Sequence, residues 1–382
     1  MSEYIQRNIK LLVVSDTGIV LDKDGNYKAF GPVVKELKNL LDVFDEITWI
    51  GFNRKKQINN KSYVKISDNR IKVVLLEEVG GNTIFDKIKI IISYPKMFSI
   101  INKLIIKHKY IHSRAPSNPS IIVMFLSLLY LDKVFWHKYA GSWIDHASFF
   151  YKLQRFILSK LRSNSVVSIN GKFSNKKNII SFENPCLDEK DRKLGKLILK
   201  SKKLRDKVNF CFVGGLNSKK GVDDILNAFK NISSKKIGEI HFVGNSELKD
   251  YYMKLSEEIS YKTVFHGFLA KDEIKKIYKI SNFILLPSKS EGFPKVIGEG
   301  MNFGAIPIVS NISCINEYIN TNKNGYLIEK PISENLINVI KECLSLDEKI
   351  YLDWVDSNYK IAEKFTYSYY NYRVKNEIFK IN

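Results

Sequence analysis

From residue 9 onward, short apolar runs alternate with longer stretches in which apolar residues recur every three or four positions. "IKLLVVS" (9–15) reads as a buried strand, "PVVKELKNLLDVF" (32–44) as an amphipathic helix and "EITWIGF" (46–52) as the next strand. Then come "IKVVLLE" (71–77), a long basic helical stretch from Asp86 to Lys109, "YIHSRAP" (110–116), an apolar helix ending at Leu131, and "KVFWHKYAG" (133–141). Strand, helix and strand in repetition imply a parallel sheet with helices on both faces.

The rhythm breaks near 184–206, where "NPCLDEKDRKLGKLILKSKKLRDK" is highly charged and lacks short β runs. It restarts with "VNFCFVGG" (208–215), "GEIHFVG" (238–244), "TVFHGF" (263–268), "NFILLPS" (282–288) and "AIPIVS" (305–310). The expected fold is therefore α/β, with two Rossmann-like doubly wound domains and a hinge near Asn184-Pro185, where the residue before proline is biased away from helix. The expected bounds are 1–190, 191–355 and a pair of terminal helices over 356–382. A chain of 382 residues is long enough for two cores. Ligands of doubly wound sheets bind outside the carboxyl ends of the strands, which is where chemistry is sought.

Composition adds a partner class. Sixty-one Lys+Arg against 40 Asp+Glu leave a net charge of +21, which suits nucleic acid, an acidic membrane face or a phosphorylated ligand. Aromatic-interleaved basic motifs of a nucleic-acid module are not found, so no nucleic-acid partner is expected. Cys186, Cys211, Cys314 and Cys343 are widely spaced and read as small core residues of a reduced protein. The start "MSEYIQRNIKLLVVS" lacks the pattern of a signal peptide, and "SIIVMFLSLLYL" (120–131) is too short to span a bilayer. A cytoplasmic chain, at most peripheral on the membrane, is the expectation.

The stretch "SKSEGFPKVIGEGMNFGAIPIVS" (288–310) holds the candidate chemistry. A strand ends at Pro287, a loop carries Glu291, Gly292 and Phe293, and Pro294 suits the first position of a helix capped by Gly304. Free amides at that helix start can bind hydroxyls or anions. Glu299, between Gly298 and Gly300 on an apolar face, needs hydrogen-bond partners, which vicinal sugar hydroxyls would supply. The other reading of the pair is equally open: Glu291 favouring a helix end, and Glu299 pairing with Lys295 on a solvated face. A second stretch, "FCFVGGLNSKKGVDDILNAFK" (210–230), is a strand, a Gly-rich turn with Gly214 and Gly215, the lysines 219 and 220, and a helix from about Gly221. Such a turn lets amides and a lysine meet a diphosphate.

Together, "VGGL…KG" (213–221), "FHGFLAKDEIKKIYKISNFILLPSKSEGFP" (265–294), Glu291 with Glu299, and "GAIPIVSNISCINEYINTNKNGYLIE" (304–329) resemble the retaining nucleotide-sugar glycosyltransferases of the GT-B fold, in particular glycosyltransferase family 4. The strong resemblance covers about 208–330. It implies two Rossmann-like domains facing across a cleft and hexosyl-type transfer from a UDP- or GDP-sugar to a glycan or lipid-linked oligosaccharide, as in surface polysaccharide or lipopolysaccharide assembly. No metal or other cofactor is expected, since no D-x-D flanked by apolar strand residues and no His/Cys ligand cluster is present. By the same resemblance Lys220 binds the donor diphosphate. Glu291 and the amides around Gly292, Phe293 and Pro294 hold the transferred sugar, and Glu299 the ribose. Gly215 stands where the family has an arginine, so Lys219 or a basic residue elsewhere has to complete the clamp.

For the N-terminal domain the resemblance implies acceptor binding. His137 is the nearest candidate for the family's catalytic histidine, with Ala140 the alternative alignment and a packing histidine the other reading. Arg114 is read either as reaching a phosphate or sugar in the cleft or as an ordinary loop arginine, and Gly31 as a point of close backbone approach. The segment 86–110 interleaves isoleucines with Lys87, Lys89, Lys96, Lys103, Lys107 and Lys109, which suits either an anionic membrane surface or a core helix with a solvated lysine face. A GT-B-fold nucleotide-sugar epimerase is the competing enzyme class, and a basic nucleic-acid-binding protein, prompted by the +21 charge, the competing reading outside enzymes.

Overall fold

Leu11, Leu12, Val13 and Val14 have no solvent exposure, because β1 (Lys10–Leu21) is flanked on both sides by parallel neighbours and covered on both faces. The structure is a computed structural model and describes residues 9–55, 62–81, 83–144, 148–204, 206–330 and 332–381. The first eight residues, on which the leader reading rests, lie outside the described residues. The chain divides into two compact units, Met1–Phe182 with Asn371–Asn382, and Glu183–Tyr370.

In the first unit β1 is followed by β2 (Tyr27–Phe30), α1 (Gly31–Leu40), β3 (Glu46–Asn53), β4 (Tyr63–Lys65) and β5 (Ile71–Glu77). Then come α2 (Ile84–Lys107), β6 (Tyr110–Ala115), α3 (Asn118–Ser127), β7 (Val134–Tyr139), α4 (Phe149–Leu158), β8 (Ser165–Ile169) and β9 (Ile179–Ser181). The parallel order is β5-β3-β1-β6-β7-β8-β9, with β2 and β4 antiparallel at the far end of β1. β1 outruns its expected end at residue 15, because a turn at Asp22–Asn26 pairs its last residues with β2. The core runs through Leu12, Ile50, Ile101, Ile111 and Val123. Near the C-terminus, Phe379 makes edge contacts with Phe44 and Tyr110 at 5.5 and 5.3 Å, seating the returning chain in this unit.

The second unit comprises α5 (Glu189–Leu199), β10 (Val208–Val213), α6 (Val222–Lys230), β11 (Ile237–Val243), α7 (Lys249–Ser256), β12 (Lys262–Gly267) and α8 (Lys271–Ile280). β13 (Phe283–Leu286), α9 (Lys295–Asn302), β14 (Ile306–Ser310), β15 (Tyr326–Ile328), α10 (Ile332–Ser345), α11 (Glu348–Ala362) and α12 (Tyr367–Arg373) complete it, with α12 crossing the division. Its sheet is parallel throughout, in the order β12-β11-β10-β13-β14-β15. The change of strand order between β10 and β13 marks a topological switch point.

Two bounds move relative to the sequence reading. The division falls at Phe182–Glu183 rather than after 190, because α5 packs on α9 and α11 of the second unit. The return to the first unit starts at Asn371 rather than 356, because α11 packs on α9 and β14. All four cysteines are buried free thiols, as their apolar settings suggest, and burial pushes the Cys211 thiol up to about 12.

Candidate active site

The carboxyl ends of β10 and β13 bring two loops together. After β10, the Gly214 N–H donates to the Val243 carbonyl at 2.9 Å, and the Asn217 side chain accepts from the Lys220 amide at 3.1 Å, capping a short 3-10 turn over Ser218–Lys220. Gly221 follows at φ 78°, and a Cβ there would lie 2.4 Å from the Pro287 carbonyl oxygen. Only glycine permits both that conformation and that approach. The Lys289 amide donates to the Lys219 carbonyl at 2.8 Å, so the loop after β10 is stitched to the loop after β13.

The stitching places Lys220 on Glu291. Lys220 Nζ pairs with Glu291 Oε1, and the Ser288 hydroxyl donates to the same oxygen at 2.9 Å. The lysine side chain is 33% exposed and the carboxylate 10%, so the pair faces outward on the lysine side. Phe293 turns inward, stacking on Phe365 at 4.4 Å and meeting Tyr318 edge-on at 4.9 Å. Its side chain is an interior anchor for the loop. The amides of Gly292, Phe293 and Lys295 have no acceptor among the described residues. Pro294 is the N-cap of α9 rather than its first residue, a shift of one position that leaves the helix start open. Gly304 closes the helix at φ 75°, as expected. Beside the pair, Ser288, Lys289, Ser310 and Asn311 line a cavity of about 380 Å³ at the ends of β13 and β14.

Glu299 sits half-buried on the second turn of α9. A Cβ at Gly298 would meet Phe365 at 3.0 Å, and one at Gly300 would meet Ile284 at 3.0 Å, so the flanking glycines let the helix lie close on both neighbours. The Tyr278 hydroxyl donates to Glu299 Oε2 at 3.3 Å. Burial pushes the carboxyl up, and the nearby Lys271 and Lys295 oppose the shift. No ion pair between Glu299 and Lys295 exists among the described residues, so the solvated-face alternative is not what this structure adopts. Sequence reasoning missed Tyr278 and the Asp191 group behind it. Asp191 is fully buried and pairs with Lys271 and Lys275. Nothing in the spacing of residues 191, 271 and 278 signals that they meet.

The first unit treats its candidates differently. His137 is 0% exposed in the middle of β7, with Nδ1 2.7 Å from the Ser113 hydroxyl and Nε2 buried without a partner. Burial lowers its pKa to about 3, so in this structure it packs as a neutral imidazole, the packing reading of the two. Ala140, the alternative, is exposed just past the end of β7. Arg114 donates to Glu36 at 2.7 Å, and Lys138 donates to the same oxygen at 3.0 Å; Glu36 is 2% exposed. Arg114 is thus committed to a largely buried ion cluster instead of being an open arginine. The Gly31 amide donates to the Ser62 carbonyl at 2.9 Å, which packs it against the β2–β4 ribbon.

Among the described residues no group of three His, Cys, Asp or Glu is placed to hold a metal ion.

Two largely parallel sheets, each covered by helices, form an α/β fold that matches GT-B glycosyltransferase structures. Residues 196–360 match the family "Glycosyl transferases group 1". An uncharacterized glycosyltransferase of Methanocaldococcus jannaschii is 27% identical over 171 residues, 44% of this chain and 42% of the relative. The lipopolysaccharide 1,2-N-acetylglucosaminetransferase of Salmonella typhimurium is 26% identical over 171 residues, 42% of each. The chain spans about half, or less, of the length of the curated relatives it matches. Solved structures agree over the whole chain at low identity. HepE of Anabaena with UDP aligns at a TM-score of 0.69 and 15% identity, covering 98% of this chain and 100% of that one. The lipopolysaccharide outer core galactosyltransferase WaaB aligns at 0.70 and 15%, covering 97% and 99%.

Proposed function

We propose that the chain is a retaining glycosyltransferase that moves a hexose from a UDP- or GDP-sugar to a glycan or lipid-linked acceptor, in the assembly of a bacterial-type surface polysaccharide. The observation that carries this reading is the Lys220–Glu291 pair beside the amides of Gly292, Phe293 and Lys295, which have no acceptor among the described residues, at the switch point of a parallel sheet. The structures of HepE with UDP and with UDP-glucose, and the lipopolysaccharide transferases among the relatives, support the donor and acceptor classes.

In this reading the Lys220 ammonium turns from Glu291 to the donor diphosphate, where negative charge builds as the glycosidic bond to it breaks. Fixed amides and an ammonium aimed at that charge stabilise the transition state more than the ground state. Glu291 and its neighbouring amides hold the sugar, and Glu299 takes the ribose hydroxyls. The acceptor hydroxyl attacks the sugar carbon from the diphosphate side as the bond to the diphosphate breaks, its proton passing to the leaving diphosphate oxygen, which retains the anomeric configuration, and no metal is required.

The test is a thermal-shift screen against UDP, GDP, ADP and CMP, with and without EDTA, followed by NMR of the product made from the stabilising donor. Stabilisation by one nucleoside diphosphate that survives EDTA, and a product with the donor's anomeric configuration, are the expected results. An inverted product overturns the retaining assignment. Stabilisation lost with EDTA overturns metal independence, and no response to any nucleotide overturns the donor site.

A further inference from the structure

Helices α2, α3 and α4 lie on one face of the first unit's sheet. The connections β5 to β6, β6 to β7 and β7 to β8 all advance in the same direction across the sheet, and right-handed crossovers then put their helices on the same side. α3 packs against both of the others.

This helical layer carries apolar residues that, among the described residues, are left largely exposed. In α2 the core contacts are Met97, Ile101 and Ile105, all in the second half, while Ile84 is 74% exposed and Ile92 72%. At about 100° per residue, Ile84, Phe85, Ile88, Ile91 and Ile92 all fall within about 60° of the direction opposite Met97. Lys87 and Lys89 fall on the two flanks, about 80° either side of Met97. The first half of α2 is therefore amphipathic with its apolar stripe turned outward and a lysine along each border. In α4 the same inversion recurs: Gln154 and Leu158 are buried, while Phe149 is 81% exposed and Phe156 62%.

Charge identifies the occupant. Across the three helices Asp86 is the one acidic residue, and Thr83 holds it in a capping box. Lysines 87, 89, 103 and 152 are exposed, and Lys96, also exposed, pairs with Glu77 at 2.6 Å. A basic rim around an apolar stripe fits an anionic bilayer, where the stripe enters the acyl boundary and the lysines meet lipid phosphates. Among the described residues no helix is long and apolar enough to cross a membrane, so the contact is one of lying on the surface.

We propose that the α2–α4 face docks the protein on an anionic lipid bilayer. The inference rests on the acceptor half of the function above and supplies its location, a membrane-held acceptor being reached by an enzyme already on the surface.

The experiment is co-sedimentation of the full chain with vesicles of equal parts phosphatidylcholine and phosphatidylglycerol, and with phosphatidylcholine alone. Wild type is expected to pellet with the anionic vesicles only. The exposed-site variants Ile88→Ser/Ile91→Ser and Lys87→Glu/Lys89→Glu are each expected to weaken that binding at least about tenfold while keeping the wild-type Tm. Wild type remaining in solution, or variants that bind as wild type does, would overturn the proposal. So would serine variants that turn a dimer into a monomer in analytical ultracentrifugation without changing vesicle binding, since the face would then belong to a second copy. UDP stabilisation is read on the same samples: its absence with vesicle binding intact would sink the transfer reading and leave the docking face standing.

Discussion

Lys220 and Glu291, 71 positions apart in sequence, form an ion pair whose carboxylate also accepts from Ser288. The pair exists because Gly221 lets its own loop pass within contact of Pro287 and because Lys289 donates to the Lys219 carbonyl. On the proposed reading, a donor diphosphate would compete with Glu291 for the ammonium and leave the carboxylate for the sugar.

Replacing Lys220 by Ala removes that ammonium from a partly exposed site. Affinity for the stabilising nucleoside diphosphate should fall about ten- to a hundredfold in calorimetry, as for a lost charge-assisted hydrogen bond. The Tm of the free protein should fall modestly, because Glu291, 10% exposed, loses its cation and keeps the Ser288 hydroxyl. Unchanged affinity would remove Lys220 from the donor site.

Glu299→Gln tests the half-buried carboxyl. Burial raises the folded-state pKa above the ordinary 4.5, so the folded protein holds that proton more tightly than the unfolded chain does. Stability then declines as pH climbs from 4.5 through the raised value and stays lower above it. The glutamine variant should be more heat-stable than wild type at neutral pH, with the difference vanishing below 4.5, and should bind the nucleotide about tenfold more weakly. A gain in stability with nucleotide binding intact would leave Glu299 out of ribose recognition.

Gly215→Arg asks whether the missing arginine can be restored. Gly215 has no left-handed φ, and a Cβ there would meet only the Asn217 side-chain nitrogen at 3.3 Å. The substitution should fold and tighten diphosphate binding about fivefold, an effect that shrinks with added salt. Binding that is weaker, or insensitive to salt, would show that an arginine here does not reach the diphosphate.

His137→Phe separates packing from catalysis. The buried imidazole has a pKa of about 3 against 6.5 in the unfolded chain, so the stability it contributes is fully present above 6.5 and is lost as pH falls toward 3. The phenylalanine variant should lose part of the acid-side decline in Tm and keep sugar transfer. A large fall in turnover with nucleotide binding intact would return His137 to the catalytic set.

The sequence by itself determined the repeated strand and helix rhythm, since continuous apolar runs such as Leu11–Val14 and Phe283–Leu286 can only be satisfied inside a covered parallel sheet. It also determined the turn at Gly221, the start of α9 and its Gly304 cap, because each depends on residues adjacent in the chain. Short strands such as β2 and β9 were not legible, since three or four residues carry no period. Tertiary structure alone decided which histidine and arginine are open to solvent. His137 and Arg114 lie at a strand's interior and end, and burial there depends on Ser113 and Glu36, 24 and 78 residues away. It alone decided that Tyr278 meets Glu299, and that the isoleucines at the start of α2 face outward while those at its end face the core. Helical spacing specifies a stripe; which way the stripe points is set by the neighbours that pack against it.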